Sequence, residues 1–335
     1  MAGFDATCGI KKESTYGTAV VVDRWLELSK ESIQGDYARV ESDGIRSGSR
    51  ARRANRFVPW VKGAKGDLEL DLLSAGHGLL LEAMLGSVAS SGPTDSAYTY
   101  TAVPGSLHGK SWTMQVGRPD LNDVIYAFTY NGGKISSWEL DSKPDELLHL
   151  KATWDFAGES AGTAATGSGA TARHLPTWTR TDSAELLSFL GGVVQIDSST
   201  VQLTQLTVKV DNALKVDRFV LATPVRAEPI QNDFLKVEID ATMEFDSMAH
   251  VNKFAATTAA GTLASLAASW QAPTPIGAGA THPSLSVSVP CLRWDGDMPN
   301  VDGAKALELK LKGVGLWNGT DDVISLEYTT ADSTP

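Results

Sequence analysis

The residues best suited to chemistry are two pairs of carboxylates, Glu69 with Asp71 and Glu238 with Asp240, each pair two residues apart in an alternating run. Paired carboxylates can divide a hydrolysis between a general acid and a second group acting as base or nucleophile. Acids at i and i+2 are also what any strand with one wet face presents, because successive side chains point to opposite sides. Nothing nearby adds a nucleophile or a third polar partner, so the wet-face reading stands. Six histidines (His77, His108, His149, His174, His250 and His282) lack the spacing to share a metal on one element. Cys8 and Cys291 lie far apart, which makes neither a disulfide framework nor a metal quartet and fits a reducing compartment. Gly63-Ala-Lys-Gly66 precedes a strand instead of following one and lacks phosphate-loop spacing. The sequence therefore offers no catalytic residue, no cofactor site and no metal site, and reads as a non-enzyme.

Composition narrows the remaining classes. The chain has 335 residues, 42% hydrophobic and 21% charged, enough for two domains that each bury a core. Its net charge of −11 gives no general attraction to phosphate, which disfavours a nucleic-acid reader or packager. No run of about 18 apolar residues is present, so no membrane anchor is expected, and the first residues read as lacking a secretory leader.

The elements that carry the carboxylates are themselves informative. Gly66-Asp-Leu-Glu-Leu-Asp-Leu-Leu-Ser74 alternates as a strand, with Leu68, Leu70 and Leu72 on one face; a helix is predicted over His77–Leu85, with Ser74 to cap it and Gly86 to end it. The pattern recurs in Val237, Ile239, Ala241, Met243 and Phe245, alternating with Lys236, Glu238, Asp240, Thr242 and Glu244. Asp246 and Ser247 are cap candidates before a short helix, Met248–Phe254. This recurrence predicts an internal duplication.

The expected division is an N-terminal arm at 1–20, a first module at 21–156, a Gly/Ser/Thr/Ala linker at 157–182 and a second module at 183–335. The fold class is mainly β: two tandem β-sandwich or half-barrel modules, each with one short flanking helix. Within the first module, 36–60 reads as a long polar loop containing Arg46, Arg50, Arg52, Arg53 and Arg56. It has no periodic apolar face, so a partner surface is expected to order it. Asn131-Gly132 is the strongest hairpin signal, and Asn318-Gly319 is read as joining the last two strands.

Several stretches together resemble the tail tube (major tail) proteins of long, non-contractile-tailed bacteriophages. They are Gly9-Ile-Lys-Lys-Glu-Ser-Thr-Tyr-Gly-Thr18, Trp25-Leu-Glu-Leu-Ser-Lys-Glu-Ser32 with the basic loop, Asp67-Leu-Glu-Leu with its helix, Gln115-Val-Gly-Arg-Pro119, and Asn318-Gly-Thr-Asp with Leu326-Glu-Tyr-Thr-Thr330. The resemblance implies packed β-sheets that join between subunits into hollow rings. Those rings would stack into the conduit for DNA, with the tape-measure protein and other tail proteins as partners. The expected location is the virion tail, after assembly in the host cytoplasm. Single-module relatives imply hexameric rings; two modules per chain make a trimer with pseudo-sixfold symmetry the preferred expectation, with a hexamer as the alternative. A conduit that must not grip DNA should line its bore with carboxylates, and Glu69, Asp71, Glu238, Asp240 and Glu244 are the lumen candidates. The arginine loop would then serve contacts between rings. The rival reading is a secreted or surface β-sandwich that binds carbohydrate through exposed tryptophans.

Overall fold

The computed structural model describes residues 5–48, 50–122, 124–164, 184–221, 223, 225–255, 263–301 and 303–334. Most of the expected linker, with His174, lies outside them. The first half runs β1 (Thr7–Lys12), β2 (Arg24–Leu26), β3 (Lys30–Glu31), β4 (Gln34–Glu41), β5 (Phe57–Asp71), α1 (Gly78–Leu85), β6 (Gly86–Thr94), β7 (Ala97–Pro104), β8 (Trp112–Pro119), β9 (Ile125–Ser142), β10 (His149–Phe156) and β11 (Gly158–Ala164). The second half runs β12 (Gly192–Ile196), β13 (Ser199–Val201), β14 (Gln205–Asp211), β15 (Leu214–Lys215), β16 (Ile230–Gln231), β17 (Lys236–Glu244), α2 (Met248–Phe254), β18 (Leu263–Gln271), β19 (Ser284–Gly296), β20 (Glu308–Gly315) and β21 (Ser325–Thr330). The chain is mainly β and its strand pairings are antiparallel, with no closed barrel among the described residues.

The pairings of the first half recur in the second. β1·β2, β1·β8, β8·β9, β9·β10 and β9·β11 are matched by β12·β13, β12·β18, β18·β19, β19·β20 and β19·β21. β3·β5 and β5·β10 are matched by β14·β17 and β17·β20. Register agrees as well. The row of opposed residues Trp138, Ala152, Leu68 and Glu31 has the counterpart Trp294, Gly313, Ile239 and Val208. The hairpin β6–β7 has no counterpart, and it pairs through β7 with β21.

Both halves bury the apolar face of the alternating strands in one cluster. Leu68, Leu70, Trp138, Leu140 and Leu150 of the first half belong to it together with Val208, Ile239, Leu311 and Trp294 of the second, all at most 2% exposed. Leu80, Leu81 and Met84 of α1 join Leu72, Leu140 and Leu150 in the core and line a small apolar cavity with them. Gly86 ends that helix at φ 89°, a left-handed value suited to glycine, and its N–H bonds the Glu82 carbonyl. Ser74 does not cap the helix; His77 is the cap residue, and Ser74 Oγ accepts the Glu185 N–H at 2.8 Å instead. Ser247 holds the cap position of α2 without a side-chain cap bond.

Several expectations are corrected. Residues 7–12 are core and not a free arm: β1 pairs with β2 and β8 and buries Cys8 and Ile10. Residues 158–164 extend the sheet as β11, so the linker cannot begin at 157. Asn131-Gly132 makes no hairpin. β9 runs through it, pairing with β8 and β11 before the glycine and with β10 after it. The register shift between Trp112/Gly133 and Met114/Tyr130, with Gly132 at φ 67°, marks a bulge that bends one strand from one sheet into the other. Asn318-Gly319 lies between β20 and β21 in sequence, but these strands do not pair; each pairs with β19.

Candidate functional site

The polar face of the central sheet is built by cross-strand register. Along one row, Lys30, Glu69, Lys151, Glu139, Lys209 and Glu238 stand opposite one another in turn, alternating in sign at every strand. The adjacent row reads Asp71, His149, Asp141, Thr207, Asp240 and Lys312. Opposed side chains on one face of an antiparallel pair are close enough to interact, so these rows are charge ladders. Lys30 Nζ lies 3.0 Å from Glu69, Lys151 Nζ 3.0 Å from Asp67, Lys209 Nζ 3.2 Å from Asp240 and Lys143 Nζ 2.6 Å from Asp141. His149 Nδ1 lies 3.0 Å from Asp71.

The pairs show in the titration of their members. The hydrogen bond to Asp67, then the charges of Asp67 and Glu69, hold the Lys151 ammonium above its ordinary range. The bond to Asp240 does the same for Lys209. Partial burial alone would raise Asp67, but Thr153 Oγ1 and Lys151 together bring it below the usual carboxylate range.

All five lumen candidates, Glu69, Asp71, Glu238, Asp240 and Glu244, fall on this one face, the last opposite Glu308. The expectation of a purely acidic face is corrected, because Lys30, Lys151, Lys209, Lys236, Lys310 and Lys312 are interleaved with them. The lysines reside on β3, β10, β14, β17 and β20. Lys236 shares a strand with Glu238 and Asp240, but only pairing puts the other lysines beside the acids.

The arginine segment is not a loop over its whole length. β4 and β5 form a hairpin whose strands extend ~26 Å at about 3.3 Å per residue, with only residues 42–56 at its tip. Alternation was hidden because both faces are open: Tyr37, Val40, Phe57 and Val58 are 49–66% exposed. At the tip Arg52 binds Glu41 at 2.6 Å and Asp43 at 2.9 Å, and Arg39 also pairs with Glu41. Arg46, Arg50, Arg53 and Arg56 are exposed and, among the described residues, have no ion-pair partner.

The base of this hairpin is held by the 216–229 segment between β15 and β16. Trp60 meets Phe219 edge to face at 5.0 Å, and Arg226 Nε donates to the Lys62 carbonyl while its Nη1 reaches Asp155 at 3.3 Å. Glu228 accepts from Lys134 Nζ and from the Gly109 N–H, both at 2.6 Å. Lys134 is fully buried, and burial pulls its ammonium below its ordinary pKa despite that partner. Sequence reading missed this network, since its members are scattered and only Lys134 is fully buried.

Elsewhere the face offers little chemistry. Against the expectation that no serine nucleophile elbow is present, Gly158-Glu-Ser-Ala-Gly162 has the G-x-S-x-G spacing, but it lies within strand β11 and not at a strand-to-helix turn. Among the described residues no group of three or more His, Cys, Asp and Glu is placed to hold a metal ion. Trp112, Trp138, Trp154, Trp270 and Trp294 are buried, Trp25 and Trp60 are half-buried, and Trp317 is the one exposed indole among the described residues, which show no platform of exposed tryptophans.

The sheet ends in two open edges. β3 pairs with β5 on one side and no described strand pairs with the other; Ser32 donates to the Asp67 carbonyl, and Ile33 directs its backbone to the unpaired side, where side chains of this chain cover it. At the far end, Trp294–Gly296 of β19 pair with β20 on one side, and no described strand pairs with the other. No described helix is long and apolar enough to cross a membrane. A family model described as phage tail tube protein matches residues 3–329. No curated protein matches the chain.

Proposed function

The chain belongs to the phage tail tube protein family, and from that premise we propose that three copies close each ring of the tube with pseudo-sixfold symmetry. The family is a structural class of virion tail component, and a mainly β chain with open sheet edges suits self-assembly into a tube. Nothing found favours the carbohydrate-binding alternative.

One observation carries the trimer: apart from β4 and the β6–β7 hairpin, the pairing order and register of β1–β11 recur in β12–β21, and the two halves join through β9·β14 within the chain. A chain that already contains two copies of the ring unit needs three chains where single-module relatives need six. Closing the sheet on itself also removes edges that would otherwise template aggregation.

In this reading the charged face lines the bore, with Glu69, Asp71, Glu238, Asp240 and Glu244 as lumen residues. Duplex DNA carries one charge per ≈ 1.7 Å of axis, and unopposed cationic rows would hold it by releasing counterions. Here each lysine of the principal row faces a glutamate, so no continuous basic track is offered. The β4–β5 hairpin, with Arg46, Arg50, Arg52, Arg53 and Arg56 at its tip, reaches the next ring. Tape-measure and other tail proteins are the further partners, and assembly takes place in the host cytoplasm.

Class averages of assembled protein viewed down the tube axis test this. Rings of three chains with six similar lobes are expected; rings of six chains would overturn the stoichiometry.

A further inference from the structure

The open edge of β3 and the open edge of β19 have counterparts that are already joined inside the chain. Trp138 pairs with Ala152, which pairs with Leu68, which pairs with Glu31; in the second half the same steps run Trp294, Gly313, Ile239 and Val208. Across the internal junction Trp138 faces Val210, and Asp141 faces Thr207 with its carboxylate accepting from the hydroxyl at 2.6 Å. Carrying each residue to its counterpart turns Trp138·Val210 into Trp294·Ile33, and Asp141·Thr207 into Asp297·Lys30.

We propose that β19 of one copy pairs antiparallel with β3 of the next in this register, with Ile33 opposite Trp294, Glu31 opposite Gly296 and Lys30 opposite Asp297. This rests on the tube reading and adds the residues of its inter-chain seam. Three features support the fit. Asp297 and Lys30 have opposite charges where the internal junction has an acid and a hydroxyl. Met298 is 52% exposed on the side of the strand that elsewhere is core, and it would lie beside Ser29 of the neighbouring copy. The charge row of the next copy begins at that same Lys30, so the ladder continues around the ring with a stagger, as closed barrels require.

In the single chain the backbone of Ile33 is occupied from within. Its N–H donates to Glu31 Oε2 at 2.9 Å, and its carbonyl accepts from Arg118 Nη2 at 2.5 Å and from the Tyr130 hydroxyl at 3.0 Å. Arg118 also grips Glu31 through both Nε and Nη2, at 2.9 Å each. The seam exchanges these bonds for a backbone ladder. The clamp therefore satisfies the edge until a correct neighbour displaces it, and an edge so covered resists random pairing.

The test is a full-length Lys30→Cys/Asp297→Cys variant assembled and oxidised, with Lys30→Cys/Asp295→Cys as the offset control. Lys30·Asp297 is a non-hydrogen-bonded pair in this register, where Cα atoms approach to about 4.5 Å and a disulfide can close. A non-reducing gel should show a ladder ending at the trimer for the first pair and little for the control. Tubes that form while the first pair stays unlinked, or while the control links better, would overturn the seam and leave the tube reading standing. Wild-type protein that never forms rings would overturn the tube reading and the seam with it. Charge reversal guards against a variant that fails to assemble. Lys30→Asp or Asp297→Lys alone should raise the concentration for half-assembly about fivefold, and the two together should restore it. A double reversal worse than either single would equally sink the register.

Discussion

Glu139 of β9 and Lys209 of β14 stand directly opposite one another where the two halves of the sheet meet. Neither has a partner on its own strand at that level; each sees the opposite charge on both neighbours, Glu139 between Lys151 and Lys209, and Lys209 between Glu139 and Glu238. A reversal there changes a row and not a single pair. Glu139→Lys with Glu238→Lys would make Lys30, Lys151, Lys209 and both new residues a track broken only by Glu69. Tubes of this variant should retain linear duplex DNA at low salt and release it steeply as salt rises, with log K falling in proportion to log[salt]. Wild-type tubes should retain little. Co-sedimentation at several salt concentrations reads this directly, and equal retention by both would remove the bore role of the face.

How much of this was readable in advance differs from element to element, for physical reasons. Strands with one dry face announced themselves: Leu68–Leu72, Val237–Met243 and Leu148–Phe156 alternate and bury as expected. β4 did not, because Tyr37, Val40 and their neighbours are wet on both faces and leave no periodicity. β18 did not either, since alanines stand on both faces: Ala264 and Ala268 are buried with Leu266 and Trp270 while Ala267 is exposed, which blurs the alternation. Asn131-Gly132 signals a positive φ correctly, but the same backbone serves a bulge as well as a turn. For the charged face, the acids were visible on two strands while all their lysines but Lys236 came from others. Intra-strand spacing carries no information about cross-strand partners.

The exposed arginines at the hairpin tip give a prediction with two separable parts. Arg46, Arg50 and Arg53 make no ion pair with any described residue, so replacing all three by Glu should leave monomer stability within about 0.5 kcal/mol per site. Arg52 is best left in place, because Glu41, held below its ordinary pKa by Arg52 and Arg39, depends on it. Tube elongation should fail while single rings persist. Urea titration of the unassembled protein and length distributions by microscopy check the two halves; full-length tubes from the variant would remove the stacking role.

The buried Lys134–Glu228 pair ties the 216–229 segment to the first half of the chain. Glu228→Ala leaves a fully buried ammonium with no carboxylate, held by the Leu107 carbonyl at 2.5 Å and by the Tyr16 ring, whose centroid is 5.8 Å away. Breaking a buried pair from one side costs about 3–5 kcal/mol, whereas replacing the pair by apolar groups of similar volume is close to neutral. Glu228→Ala should therefore lower the denaturation midpoint sharply, and Glu228→Leu/Lys134→Met should recover most of the loss. Equal destabilisation by the single and double variants would show that the segment is held by Trp60, Phe219 and Arg226 instead.

His77 supplies a pH dependence whose sign is fixed by its surroundings. It is buried at the start of α1, and Nδ1 accepts the Leu73 N–H at 3.1 Å, which requires the neutral ring. Burial first, and the Arg24 guanidinium second, lower its pKa from 6.5 to about 4. A base whose folded pKa lies below its unfolded value binds fewer protons when folded, so stability rises with pH between those values and is full above the higher one. Falling from pH 6.5 toward 4 should cost about 3 kcal/mol in all, with a slope approaching ~1.4 kcal/mol per pH unit. The Asp67 and Asp141 carboxylates, both held below their ordinary range, add an acid loss of the same sign that sets in lower, below the usual carboxylate value. Denaturant midpoints of dilute, unassembled protein between pH 7 and 4.5 isolate the histidine. His77→Gln should start less stable at pH 7 and lose the slope above pH 5; a variant that keeps the wild-type slope would assign it to another group.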